Sequence, residues 1–430
     1  MLRKKIIQGL SWTFSSQVIN AMLGLLKIVV LTRILDKSDF GLMAILMAVI
    51  GILNLVLDAG VSIGILHFQN INHRTYSSLY LLNIVVSIIL YGLLYLLTPF
   101  ISILYQAPVL TAFFPVMGVH ILITALGRHF LVREQKQLRF KLIAQSEIAS
   151  AAVSFIAAIV LAFQGYGLWS LVLAELIKGG IMYSFFFLRG MHLTPISLDF
   201  SWKEVKPVFQ MGVYSLGGQL VNLVNKDLDI LLIGKFFDTS VLGAYSLAKQ
   251  LVSKPAQVIH PVISKVLSPI LPRYQEDQDQ LREKFLLLQR SIATINVFAF
   301  ILLAASASIL VSILYGEAYL EIVGLVQILC IYMYLRAFAR PMGVLIIATG
   351  RTDLGFFWNL AILPPYAFTL FSMMPFGINA VAWGLSGLMA LLTILGWIFV
   401  IRPLIKVTLK TYLWQLVPQP KSLLRNLERN

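Results

Sequence analysis

Stretch after stretch of this chain is apolar for the length a helix needs to cross a lipid bilayer, about 20 residues. Twelve such stretches stand at roughly 8–32, 41–66, 76–98, 112–131, 143–163, 166–188, 208–233, 243–270, 288–314, 320–346, 354–375 and 378–401. Hydrocarbon offers no water to a backbone N–H or C=O, so a chain that spans it satisfies those groups within its own helices. Composition agrees: 59% of the 430 residues are hydrophobic and only 12% are charged, about half the charged share of an average globular protein. The expected fold class is an all-α polytopic membrane protein of about twelve transmembrane helices.

The first, seventh and eighth stretches are the most polar, and their polar residues are ordered. Thr13, Gln17, Asn20, Gly24 and Lys27 follow at steps of four, three, four and three, which puts them on one helix face. Adding 202 to each number gives Ser215, Gln219, Asn222, Lys226 and Asp229. The flanks repeat at the same offset: Asp36 with Asp238, Ser38 with Ser240, Gly41 with Gly243. Farther on, Ser102-Ile103-Leu104-Tyr105 returns as Ser312-Ile313-Leu314-Tyr315. The chain reads as one six-span unit written twice: an N-terminal bundle at 1–190, a cytoplasmic linker at 191–207, a C-terminal bundle at 208–402 and a basic amphipathic tail at 403–430. Six spans per copy makes the repeats parallel, with a pseudo-twofold axis along the membrane normal. Transporters of this design bind substrate at the repeat interface near the midplane.

The net charge of +15 sits in short loops between spans and not on a soluble domain, so no nucleic-acid partner is expected. With the N-terminus in the cytoplasm, most Lys and Arg, including the run from Arg128 to Lys141, fall on the cytoplasmic side, while the outer loops hold only Arg33, Lys37 and Lys235. Both termini are therefore expected inside. The basic start Arg3-Lys4-Lys5 runs into a long span without a small-residue cleavage site and reads as a retained first helix. The longest outer loop, around 98–111, carries no charge, and no loop is large enough to hold an active-site domain. That argues against an enzyme such as a polysaccharide polymerase or ligase. The lone cysteine, Cys330, can form neither an internal disulfide nor a zinc site; no metal and no cofactor are expected.

Gly243-Ala244-Tyr245-Ser246-Leu247-Ala248-Lys249-Gln250-Leu251-Val252-Ser253-Lys254-Pro255, continuing to His260-Pro261-Val262-Ile263, Pro269 and Gln275-Glu276-Asp277, resembles the eighth span of bacterial polysaccharide exporters. The likeness is to the colanic-acid and teichuronic-acid branch of the O-antigen flippases, in the multidrug/oligosaccharidyl-lipid/polysaccharide (MOP) exporter superfamily. Leu35-Asp36-Lys37-Ser38-Asp39-Phe40-Gly41, Leu57-Asp58-Ala59-Gly60 and Gly165-Tyr166-Gly167-Leu168-Trp169 support it. The resemblance covers about residues 5–405. It implies two six-helix bundles around a central cavity, a MATE-like fold, in a bacterial inner membrane. It also implies transfer of a polyprenyl-pyrophosphate-linked oligosaccharide from the inner to the outer leaflet. Members of this branch usually continue with two more helices past the twelfth span, where this chain stops near residue 430, so a groove for the lipid tail is not carried over.

Charged groups within spans are costly and mark function by default. Lys249 and Lys254 on the eighth span, with Gln257 on nearly the same face, are expected to meet substrate, as are Lys226 and Lys27. Ammonium groups neutralise pyrophosphate as point charges. Gln17, Asn20, Gln219 and Asn222 can offer sugars uncharged donors and acceptors. Asp58, Asp227 and Asp229 are candidates for coupling to H+ or Na+, against the plainer reading that they neutralise neighbouring lysines. Pro255 and Pro261 remove backbone hydrogen bonds and are expected to kink a gate helix. Glu175 and Lys178, three apart, are expected to form a structural ion pair. Expected partners are the lipid-linked oligosaccharide and membrane lipid, with a polymerase and glycosyltransferases as further partners. The rival reading, a multidrug or cation antiporter of the same superfamily, calls for a net negative cavity, which lysines oppose.

Overall fold

The computed structural model describes residues 2–58, 62, 65, 71–267 and 271–418. For 2–8, 10, 210–218, 258–267, 272, 273 and 352 it describes the backbone alone, so the side chain of Pro261 lies outside the described residues. The described chain is almost entirely helical. The first half holds α1 (Leu2–Leu31), α2 (Lys37–Asp58), α3 (His73–Leu104), α4 (Leu110–Lys136), α5 (Phe140–Phe163), α6 (Leu168–Leu193) and α7 (Trp202–Phe236). The second holds α8 (Thr239–Leu267), α9 (Gln278–Ala305), α10 (Ala307–Tyr315), α11 (Val323–Ala339), α12 (Pro341–Ala348), α13 (Thr352–Met373) and α14 (Ile378–Gly396). Among the described residues, 10 helical segments are long and apolar enough to cross a membrane. Both α7 and α8 are long, 35 and 29 residues, yet fall short of that apolar standard. They carry the second polar stripe and the lysines Lys249 and Lys254.

The chain divides into two compact units, Met1–Gly243 and Ala244–Asn430. In the first, α4 packs between α3 and α6, α5 between α1 and α6, and α2 against both α4 and α7. Its apolar centre includes Tyr76, Leu79, Tyr80, Phe130, Ile143, Phe186 and Val205. Two close approaches fix its geometry. A Cβ on Gly127 of α4 would run into the backbone of Tyr183 on α6. A Cβ on Gly41 would meet the carbonyl of Thr239, and one on Gly243 the carbonyl of Lys37. Gly41 and Gly243 are repeat mates, as are Lys37 and Thr239, so the starts of α2 and α8 cross in a reciprocal contact that only hydrogen side chains permit.

The connection from α6 to α7 is strapped along the start of α3. His73 Nε2 donates to the Pro195 carbonyl at 2.8 Å, Ser197 N to Ser77 Oγ at 3.0 Å and Ser201 N to Ser78 Oγ at 3.0 Å. Arg74 grips Asp199 through Nε and Nη2 at 2.9 and 3.0 Å. The linker is thus held extended by groups that face it one after another.

In the second unit, α9 starts at Asp277, whose carboxylate accepts from the backbone N–H groups of Gln280 and Asp279 and from Gln280 Nε2. Those donors, Gln280 N first, hold the Asp277 carboxyl below the usual carboxylate range. The helix then runs unbroken from Gln278 to Ala305, into the ninth expected span. The tail's apolar face does not lie free. Ile405 and Tyr412 are buried with Phe285, Phe338 and Val400, and Leu413 and Leu416 pack on them. Tyr334 Oη donates to the Leu416 carbonyl at 2.6 Å, and Arg290 Nε to Gln415 Oε1 at 2.9 Å.

Candidate functional site

Three helices of the first unit line an open cavity of about 440 Å³. From α2 come Gly51, Asn54 and Leu55, from α4 Arg128, and from α7 Gln219, Asn222, Leu223 and Lys226. The α7 set falls at i, i+3, i+4 and i+7, and the α2 set at i, i+3 and i+4, so each helix offers one face. Gly51 adds room, because nothing stands within 4 Å of where its Cβ would be. Gln219, Asn222 and Lys226 of the second polar stripe lie on this wall.

Arg128 and Asn54 complete the polar wall. The sequence reading placed Arg128 in a cytoplasmic charge run. The structure puts it on the last third of α4, where Gly127 lets α4 sit against α6 and the next side chain turns toward α2. Arg128 Nη2 lies 3.2 Å from Asp58 Oδ2, and the Asp58 side chain is 8% exposed. Asp58 Oδ1 accepts from the hydroxyl of Ser62 and, at 3.3 Å, from its backbone N–H. Asp58, expected as a lone intramembrane carboxylate, is therefore an ion-paired one. Asn54 Oδ1 is buried on the wall and has no hydrogen-bond partner among the described residues, an acceptor still to be satisfied.

The other expected residues are placed as follows. Lys226 is largely exposed and lies 4.0 Å from Asp227 Oδ2. Asp229 is buried, and its Oδ1 accepts from Ile230 N at 2.9 Å. Lys27, Gln17 and Asn20 are not on this wall. Lys27 instead lies in the field of Glu175 and Lys178 on α6, which are 3.7 Å apart; the expected Glu175–Lys178 pair thus includes a third charge. Asn20 Oδ1 is buried without a partner among the described residues, and Gln17 is exposed. Lys249, Lys254, Pro255 and Gln257 belong to the second unit. Lys249 is buried, with the Ser253 hydroxyl donating to its carbonyl at 2.6 Å, and Gln257 is exposed. The backbone of α8 is helical through Pro255 and Pro261.

A wall of this kind combines two fixed cations with three amides. The guanidinium presents a planar fork of donors, the ammonium a mobile point charge, and both suit phosphate oxygens. The amides supply donors and acceptors of the kind hydroxyl-rich molecules pair with. Among the described residues, no three His, Cys, Asp or Glu side chains are grouped to hold a metal ion.

Residues 30–324 match the family described as Polysaccharide biosynthesis protein. The teichuronic acid biosynthesis protein TuaB of Bacillus subtilis is 27% identical over 386 residues, covering 89% of this chain and 79% of TuaB. The lipopolysaccharide biosynthesis protein WzxC of Escherichia coli is 27% identical over 359 residues, covering 84% of this chain and 73% of WzxC. Among solved structures, the lipid II flippase MurJ in an inward closed conformation superposes with a TM-score of 0.76 at 13% identity, over 95% of this chain and 90% of MurJ. An inward-facing MATE family transporter of the MOP superfamily superposes with a TM-score of 0.70 at 11% identity, over 88% and 93%. The fold is that of the MATE and MurJ transporters.

Proposed function

This chain belongs to the polysaccharide biosynthesis protein family, and from that premise we propose that it is a flippase for polyprenyl-pyrophosphate-linked oligosaccharide. It moves this substrate from the cytoplasmic to the outer leaflet of the bacterial inner membrane by alternating access, with both termini cytoplasmic. It binds and releases and makes or breaks no covalent bond. The observation that carries the reading is the cavity, in which Arg128 and Lys226 stand among the amides of Asn54, Gln219 and Asn222. The cations take the pyrophosphate, and the amides take the first sugars. A multidrug antiporter calls for a net negative cavity, whereas here each carboxylate is matched by a cation, Asp58 by Arg128 and Asp227 by Lys226.

The test is Lys226→Ala combined with Gln219→Ala, in a chain whose insertion is verified by membrane fractionation. Surface polysaccharide is expected to fall at least about tenfold, the worth of roughly 1.4 kcal/mol, while lipid-linked precursor accumulates in the inner leaflet. Unchanged surface polysaccharide in that variant sinks the cavity as the substrate site.

A further inference from the structure

We propose that Asp58 is a built-in competitor for the substrate's anionic group, which loosens the hold of Arg128 enough for release. The idea rests on reading the cavity as a pyrophosphate site. It starts from how the guanidinium is shared. Arg128 reaches Asp58 through Nη2, and its side chain is 29% exposed on the wall of the cavity. A guanidinium has five donors in a planar fork, so one edge can face the carboxylate while donors remain for the cavity. Asp58 lies one turn beyond Asn54 on α2, behind the wall and not on it.

The carboxylate is divided as well. Oδ2 faces Arg128, whereas Oδ1 takes two donors from Ser62, its hydroxyl and its backbone N–H. Each donor on Oδ1 draws charge away from the contact with Arg128. Across the cavity Lys226 has its own acid, Asp227, at 4.0 Å. Both cavity cations are thus offset by a carboxylate before any ligand arrives. A transported anion must bind well enough to enter and weakly enough to leave. Two uncompensated cations side by side would hold a pyrophosphate more firmly than two that each share a carboxylate. With Asp58 in place, binding exchanges one anion for another at Arg128, and release exchanges them back.

A competitor and a positioning residue make opposite predictions. If Asp58 only held Arg128 in place, removing its charge would weaken anion binding. As a competitor, its removal strengthens binding and slows export. The experiment measures inorganic pyrophosphate binding to the purified full chain by calorimetry, alongside export in cells. Asp58→Asn keeps an acceptor for Ser62 and removes the charge. It is expected to bind pyrophosphate about tenfold tighter and to export less. Ser62→Ala removes the hydroxyl donor, leaves only the backbone N–H on Oδ1 and is expected to bind pyrophosphate several-fold more weakly. Adding Arg128→Gln to Asp58→Asn is expected to abolish the gain. Weaker or unchanged binding in Asp58→Asn overturns the proposal. Should that variant fail to insert, Ser62→Ala decides alone, and equal or tighter binding there overturns it. Failure of the underlying reading looks different: no pyrophosphate binding by the unmodified chain, with normal export by the Lys226→Ala, Gln219→Ala variant.

Discussion

Gly127 and Arg128 are neighbours with separate tasks, and the first makes the second possible. The absent Cβ lets α4 settle on the Tyr183 backbone of α6, and that seating presents Arg128 to α2. Gly127→Ala is expected to cost about 1–3 kcal/mol through overpacking, read as a lowered thermal midpoint, and to weaken pyrophosphate binding. Gly180→Ala, where a Cβ meets nothing within 4 Å, is the control and stays within about 0.5 kcal/mol. A Gly127→Ala chain as stable as the control would remove the close approach from the account. This pair also marks the limit of sequence reading. Gln219, Asn222 and Lys226 were legible because helical period is local and three polar side chains on one face announce themselves. Arg128 was hidden because its value depends on what α4 packs against, and four neighbouring Lys and Arg gave it a sufficient reason to exist as a topology signal. Asp58 stood out as a carboxylate inside a span. Its partner, 70 residues away, did not.

At the scale of elements, polarity decides what a helix can be used for. Both α7 and α8 fall short of the apolar standard of the other spans, and α7 alone supplies four of the residues around the cavity. The strap between α6 and α7 is the other element whose details follow from side chains. Ser77 and Ser78 are fully buried and accept from the N–H groups of Ser197 and Ser201. Replacing both serines with Ala removes these acceptors at about 1 kcal/mol each. Amide exchange at Ser197 and Ser201 is expected to quicken roughly fivefold, while exchange inside α4 stays as it was. Equal rates at the two serines would mean the strap is held by other contacts. Proline and mixed charge marked 191–207 as a linker, but nothing local in it tells that α3 is the surface it follows. That information sits in Ser77 and Ser78, 120 residues earlier.

For the whole molecule, the expectation to test is direction. The bias of Lys and Arg puts both termini and the start of α9 in the cytoplasm, and the turn before α4 outside. In a Cys330→Ala background, Val109→Cys is expected to react with a membrane-impermeant maleimide in intact cells, and Glu283→Cys only after the membrane is opened. The reverse pattern would invert the proposed direction of transport. Ten of the twelve expected spans were legible among the described residues because apolar length is a property of each segment alone. The crossing of Gly41 and Gly243 was not: the repeat announced the two glycines as equivalents, yet gave no sign that they touch. Lys37 and Gly41 face Thr239 and Gly243 as two subunits face each other across a dyad, where each patch is its own complement. A bulkier residue at either position therefore runs into backbone, not into a flexible side chain that could swing aside, so one substitution forces both helix starts apart.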